Sequence, residues 1–422
     1  MSNLKVLISG ASIAGPMAAY WFAKAGAIVT VVERFPALRM NGQNIDIRSV
    51  GVTVMRRIPG LEAAVLAKKC EMDGIEFVDD KGDPYATIKA TGNAEQQSLV
   101  SEYEISRGDL AKILVDLTKG NKNVKYVFDE QIVSMEQSGV DGPLTVTFAN
   151  GLAKSEYDLV VACDGATSRT RSIGLGCGVR DYIRPLNTWA AYFTIERDLL
   201  QGSRMAQAWS AVGGRWVAIG PDQSGATRVG LMSNSPDQSH ALSFREALKS
   251  GNDELKSHVY RRYNGAGWKT DEILEGMSEA QDFYASVTVQ VKVPGLYKGR
   301  FVLVGDAGYA AGPIGTGTSL AIAGAYILAG EIAQHSGDIA AGLKGYEQRI
   351  TPIVDDMQAI PPGFPVLFAP QTALGIRLRN MLFKIVAWVM RHKASFAWLA
   401  RFFPSSLRAD QYGILNYQGL SH

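Results

Sequence analysis

Cysteine is scarce in this 422-residue chain. The three that occur, Cys70, Cys163 and Cys177, are odd in number and widely spaced. That excludes a disulfide framework and a Cys-based metal motif, and it points to a reducing compartment. Histidine is thin as well: five residues, from His240 to His422, with no H-x-x-x-H spacing, so no metal site is expected. An excess of one charge is also missing. The 43 Lys and Arg against 41 Asp and Glu leave +2, without the basic surplus of a nucleic-acid-binding face. No apolar run suits a leader or a span. Val6–Ile8 is too short for a secretory core and runs directly into a glycine loop. Residues 307–330 carry no charge, but six glycines and Pro313 interrupt them, so their first half reads as loop. The expectation is a cytoplasmic chain, long enough for two intimately packed domains.

What is present begins with KVLISGASIAGPMAAYWFAKAGAIVTVVERF, residues 5–35. The apolar run at 4–9 reads as a buried parallel strand, 13–25 as a helix and 27–33 as a second strand, which makes a βαβ start. Residues 75–105 alternate around a DDKGD turn and predict a hairpin outside this sheet. SRGDLAKILVDLTKG opens a helix, with Ser106 as N-cap and Asp109 three residues on. YDLVVACDG (157–165) and RFVLVGDAG (300–308) are further buried strands, and a helix follows at about 317–333. Between them, from about 180 to 290, TWAAYFTI, RWVAIG and TRVGLM alternate like an antiparallel sheet with one wet face.

Gly10, Ser12 and Gly15 nearly complete the G-x-G-x-x-G of a dinucleotide turn, with Ser12 in place of the second glycine. A small hydroxyl there can donate to a phosphate, and the following helix aims its unsatisfied N–H groups at a diphosphate. Glu33 ends the second strand, where an acid accepts hydrogen bonds from a ribose and opposes a 2′-phosphate. Strand before, helix after and acid at the right distance make this a working site. GDAGYAAGPIGTGTSLAI (305–322) adds a second constellation: Asp306 after a buried strand, then Pro313, Gly315 and Gly317 leading into another helix N-terminus. A cofactor with two ends needs both. One N-terminus suits the diphosphate of FAD, and the second would stabilise negative charge on its reduced ring.

On these stretches the chain resembles the single-component (class A) flavin monooxygenases, a family that includes para-hydroxybenzoate hydroxylase and tetracycline-inactivating monooxygenases. The resemblance spans residues 4 to about 355 and rests on GASIAG, CDGATSRTR (163–171) and GDAGYAAGPIGTG. It implies that Asp164 touches the region where flavin and nicotinamide meet, that Asp306 binds the ribityl chain, and that Arg107 lies beside the diphosphate. The full cofactor-contact set expected is Gly10, Ser12, Ala14, Gly15, Glu33, Arg34, Arg107, Asp164, Asp306, Pro313, Gly315, Thr316, Gly317 and Thr318. The chain departs from the family at Tyr309, where many relatives have His, and at Thr318 and Ser319, near which they have Asn.

The resemblance further implies non-covalent FAD, transient NAD(P)H, and oxygenation of a small aromatic or polycyclic substrate through a flavin C4a-hydroperoxide. Hydroxylation and epoxidation are both open, in a setting of secondary metabolism. The alternatives are a flavin oxidase or cyclising enzyme without oxygen insertion, and a flavin-free binding protein on the same fold. No catalytic acid or base is assigned. Pocket candidates are Asp46 and Arg48 in GQNIDIR, and Tyr192, Arg204, Trp209, Arg215 and Trp216 in the alternating region.

The fold expected is α/β: a Rossmann-like FAD-binding domain (1–74, 100–178, 288–358), an inserted sheet-rich substrate domain (75–99, 179–287) and a C-terminal helical segment (359–422). That last segment holds seven basic residues and no acid between Gln371 and Arg408, with Lys384, Arg391 and Ser395 along one helical stripe. It reads as a brace between the domains, in preference to peripheral attachment to an anionic membrane.

Overall fold

The computed structural model describes residues 3–94, 97–139, 141–222, 224–236, 239–361, 363, 367–391 and 410–420. Its nucleotide-type layer is a six-stranded sheet. β1 (Lys5–Ser9) lies between β2 (Ile28–Glu33) and β11 (Leu159–Ala162); β7 (Val124–Phe128) flanks β2, and β18 (Phe301–Leu303) and β17 (Tyr297–Lys298) extend the side of β11. All neighbours are parallel except β17 and β18. β11 is 0% exposed from Leu159 to Ala162, the unbroken apolar pattern of a strand covered on both faces.

α1 (Ala14–Lys24) follows β1 and packs on α10 (Gly317–Gln334), where the rings of Trp21 and Tyr326 meet edge-on at 4.8 Å. α10 is buried from Ser319 to Ile332. The uncharged stretch is therefore a core helix, apolar all round because protein surrounds it. α11 (Ile339–Met357) packs along α10. Smaller pieces complete this half: α2 (Val50–Met55), α3 (Leu61–Leu66), α4 (Arg107–Asp116), an antiparallel sheet of β8 (Ile132–Gln137), β9 (Leu144–Phe148) and β10 (Ser155–Tyr157), and a ribbon of β3 (Asn44–Asp46) and β6 (Glu104–Ser106). Ser106 caps α4 as expected, its hydroxyl accepting from the Asp109 N–H at 3.3 Å.

The second layer is a seven-stranded sheet in the order β16 (Tyr284–Val291), β12 (Ile183–Ile195), β15 (Thr227–Asn234), β14 (Arg215–Pro221), β13 (Met205–Ala211), β4 (Gly74–Val78) and β5 (Pro84–Lys89). It is antiparallel with one exception: β4 joins β13 in parallel, because β4 arrives from the nucleotide half and not from a neighbouring hairpin. The hairpin predicted over 75–105 is shorter, β4–β5 only, and the chain then returns to β6. Three helices lie in the stretch read as sheet: α6 (Ser239–Ser250), α7 (Asn252–Tyr263) and α8 (Thr270–Glu279). They cover one sheet face around Trp189, which stacks on Phe244 at 4.7 Å.

The last helix, Ala373–Arg391, lies across β5 and β13 on the opposite face, with Phe383 edge-on to Phe77 at 4.7 Å. Residues 410–420 return to the nucleotide half, where Arg57 donates to the carbonyls of Leu415 (2.7 Å) and Ile414 (2.9 Å). The continuation of the basic stripe through Ser395 lies outside the described residues. Among the described residues no helix is long and apolar enough to cross a membrane.

Candidate cofactor groove and active site

The three glycine-bearing motifs hold one another. Gly10 turns at φ +108°, and a Cβ there would lie 2.5 Å from the Cys163 carbonyl oxygen, so the first motif packs on the second. A Cβ on Gly15 would run into the Gly10 carbonyl, which fixes the third glycine of the fingerprint. Ala14 touches Gly305, where an added Cβ would stand 3.0 Å away, so the first motif also packs on the third. Arg171 closes the triangle. It is 0% exposed and donates to the carbonyls of Ala307 (2.8 Å), Ala166 (3.0 Å) and Val179 (3.0 Å).

Asp164 serves the same scaffold. Its carboxylate accepts from the Ser168 hydroxyl (2.5 Å) and from the Thr170 N–H (3.1 Å) and hydroxyl (3.0 Å), at the start of α5 (Arg169–Leu175). Burial pushes its pKa up, against these bonds. These bonds fix the Asp164 carboxylate on its own turn.

Along the groove, Arg107 donates to the Ser12 hydroxyl at 2.7 Å. Asp306 begins α9 (Asp306–Tyr309), exposed within the groove yet enclosed enough that burial pushes its pKa up while the Arg107 cation pulls it down. An Asp306 carboxylate oxygen lies 3.4 Å from where a Gly317 Cβ would stand, at the first residue of α10. Glu33 accepts from the N–H groups of Ala11 (2.9 Å) and Phe35 (3.1 Å), bracing the glycine turn. Arg34 is exposed, its guanidinium 4.9 Å from the Phe35 ring centre.

At the other end, Asp46 comes within 3.5 Å of the Cβ position of Gly315, and the Arg48 N–H donates to Ser319 at 2.9 Å. Arg48 is buried; its guanidinium pairs with Asp46 (2.9 Å) and donates to the carbonyls of Ser98 (2.7 Å) and Leu99 (3.1 Å). GQNIDIR thus lies on the glycine-rich loop and is no free surface loop. The Thr316 hydroxyl donates to the Met357 carbonyl at the end of α11 (2.9 Å). Tyr309 is buried with its hydroxyl 3.1 Å from that of Tyr346, so this departure from the family is a core feature.

The residues present fit FAD. Gln43 Oε1 and Ser49 Oγ, on either side of β3, are buried without a hydrogen-bond partner among the described residues. Ser49 also holds φ +46°, a conformation unfavourable for a side-chain-bearing residue. Ser12, Arg107 and the α1 N-terminus suit a diphosphate, and Asp306 suits hydroxyl donors. Sequence reasoning missed Glu104, which pairs across the ribbon with Asp46 and accepts from the Asn44 amide at 3.0 Å. Burial first, then the Asp46 charge, push its pKa up to about 7, against Asn44, Arg48 and Arg228. It can hold a proton near neutrality.

The seven-stranded sheet sorts the remaining candidates by face. Tyr192 lies over Gly230, its ring 3.6 Å from the Cβ position there, and pairs in register with Tyr284. Burial pushes the Tyr192 phenol up to about 12. Strand register puts Met232, Trp216 and Arg228 on this same face, and Arg228 reaches Asn44 of β3 at 3.3 Å. Three candidates are corrected. Trp209 takes the opposite parity; it is buried under the helices, stacked on Trp268 and bonded to Asp80 at 3.0 Å. Arg215 shares that parity and donates to the carbonyls of Val212 (2.9 Å) and Arg262 (3.3 Å). Arg204 is exposed and paired with Glu71 and Asp73. Arg228 and Tyr284, placed by cross-strand register, stand on the face of Tyr192 instead.

The model of the FAD binding domain family matches residues 3–359. The chain is 33% identical over 425 residues to the FAD-dependent monooxygenase asL4 of Sarocladium schorii, covering 95% of this chain and 96% of that one. It is 34% identical over 400 residues to the flavin-dependent monooxygenase eupH of a Phoma species, covering 89% and 90%. Among solved structures, the tetracycline destructase Tet(55) superposes with a TM-score of 0.74 at 29% identity, over 93% of this chain and 98% of that one. HpxO of Klebsiella pneumoniae, complexed with FAD and uric acid, superposes with a TM-score of 0.69 at 19% identity, over 90% and 92%, a likeness of fold.

Proposed function

The chain belongs to the FAD-binding-domain family of flavin-dependent monooxygenases, and from that premise we propose that it takes electrons from NAD(P)H and inserts one atom of O₂ into a small aromatic or polycyclic substrate. The observation that carries this reading is the convergence of the three interlocked motifs with Ser12, Arg107 and Asp306, next to the sheet face that carries Tyr192, Trp216, Met232 and Tyr284 and reaches β3 through Arg228. Bound FAD supplies electron storage and oxygen activation. The protein supplies position, charge and dryness.

Ser12, Arg107 and the α1 N-terminus would hold the diphosphate, Glu33 the adenosine ribose, and Asp306 the ribityl hydroxyls. The α10 N-terminus behind Gly315 and Gly317 would stabilise negative charge on the ring, because its dipole end is positive. Tyr192, Tyr284, Trp216 and Met232 form a flat, largely apolar wall, which favours a planar substrate and excludes water. Arg228, paired with Asp222 at 2.7 Å, adds polar N–H donors to the edge of this wall, which would suit a substrate carrying a hydroxyl or carbonyl oxygen. Glu104 would hold a proton on its carboxyl near neutral pH, beside the charge of Asp46.

The relatives support a ring-shaped substrate: one solved neighbour is a tetracycline destructase and another binds uric acid. The test is a panel of planar phenols and polycyclic enols, tetracycline included, added to the FAD-loaded enzyme with NADH or NADPH. A substrate should accelerate NAD(P)H consumption and leave an oxygenated product. NAD(P)H-independent oxidation with stoichiometric H₂O₂ would assign an oxidase instead.

A further inference from the structure

The C-terminal helix has two faces with different tasks. Its inner face docks on the sheet. Arg379 is buried and donates to the Phe368 carbonyl at 3.2 Å, and Phe383 and Ala387 pack on the small core of Phe77, Ala86, Ile88 and Ala208. Its outer face presents Leu374, Leu378, Met381, Leu382 and Ile385, between 44% and 66% exposed. Their spacings of four, three, one and three residues keep them on one stripe. A contiguous exposed apolar stripe marks an interaction surface, unlike single exposed side chains.

The charge says what covers it. Arg377 and Lys384 are exposed, two turns apart, and border the stripe on one side. They belong to the run from Gln371 to Arg408 that has seven bases and no acid, so the rest of the chain is net negative. A second copy docking through the same helix would bring its own Arg377 and Lys384 to this face, whereas anionic lipid neutralises them. Lys384 in the middle of the helix forbids a span, leaving a helix that lies in the interface plane.

We propose that the outer face of the C-terminal helix docks this protein on an anionic lipid bilayer, with the leucine-rich stripe at the acyl boundary and Arg377 and Lys384 at the lipid phosphates. Docking on the second sheet and attachment to lipid then occupy opposite faces of one helix. The inference stands independently of the reaction proposed above.

The full-length, FAD-loaded protein is sedimented with phosphatidylcholine vesicles, with and without about one quarter phosphatidylglycerol, at low and high salt. The expected result is co-sedimentation with the anionic vesicles only, lost at high salt. Leu378→Glu with Ile385→Glu should lower partitioning at least about tenfold, and Arg377→Glu and Lys384→Glu about fivefold or more each. All three variants should keep the thermal midpoint and the flavin spectrum, since these side chains point away from the sheet. Equal binding to neutral vesicles, or none to either kind, overturns the proposal. A dimer in lipid-free solution that Leu378→Glu and Ile385→Glu dissolve, without vesicle binding, overturns it in favour of a second copy.

Discussion

Arg171→Met tests whether the motifs form one scaffold. The guanidinium is fully buried and donates to three carbonyls, of Ala166, Val179 and Ala307, so it ties the second motif to the third. Three charge-assisted bonds are worth about 1.5–3 kcal/mol each before other terms. Removing the cation returns several kcal/mol of desolvation, and methionine refills much of the stem volume. The net is a loss of about 2–4 kcal/mol of stability. The loss should also reach the cofactor, because Ala307 follows Asp306 directly; loosening that turn by about 1.4 kcal/mol weakens FAD tenfold. Urea unfolding of the FAD-stripped protein measures the first quantity, and fluorescence titration with FAD the second. Arg171→Lys should recover less than half of either, because one ammonium cannot span carbonyls from three segments. A midpoint and an FAD affinity both unchanged in Arg171→Met would refute the reasoning.

Glu33→Lys replaces the acid that braces the glycine turn and should weaken FAD about tenfold or more; unchanged affinity would remove Glu33 from the adenosine site. Asp306→Ala should reduce activity and FAD affinity more than thermal stability, since its carboxylate opens onto the groove; equal losses would make it structural. Glu104 has a raised pKa in the fold, so its stabilising contribution is complete below the ordinary value of 4.5 and is lost as pH rises through about 7. Glu104→Gln should therefore gain in thermal midpoint relative to the native protein as pH rises from 5 to 8, on the order of the titration window. A constant difference across that range would show that Glu104 does not titrate there.

Period and punctuation made the nucleotide half legible. β1, α1 and β2 follow from one apolar run, one glycine turn and one terminal acid, and α10 from an uncharged stretch opened by Gly315 and Gly317. The helical cover of the second sheet was not read, although Ala241, Phe244 and Ala247 recur at three-residue spacing and are all buried. Alternation divides a strand into two faces without saying which meets the ligand. Trp209 and Trp216 are equally aromatic, and only pairing across β13 and β14 turns them to opposite sides. Arg171 was visible in CDGATSRTR, but its task depends on a carbonyl 136 residues away. The cross-strand pairing of Asp46 with Glu104 is likewise long-range and leaves no local signal.

Oxygen insertion at a flavin site is read out most directly by isotope. Once the panel yields a compound that accelerates NAD(P)H consumption, the FAD-loaded enzyme is run under ¹⁸O₂ and the product is weighed by mass spectrometry. The expected result is one ¹⁸O atom per product molecule and one NAD(P)H consumed per product formed. An unlabelled product accompanied by stoichiometric labelled H₂O₂ would contradict it.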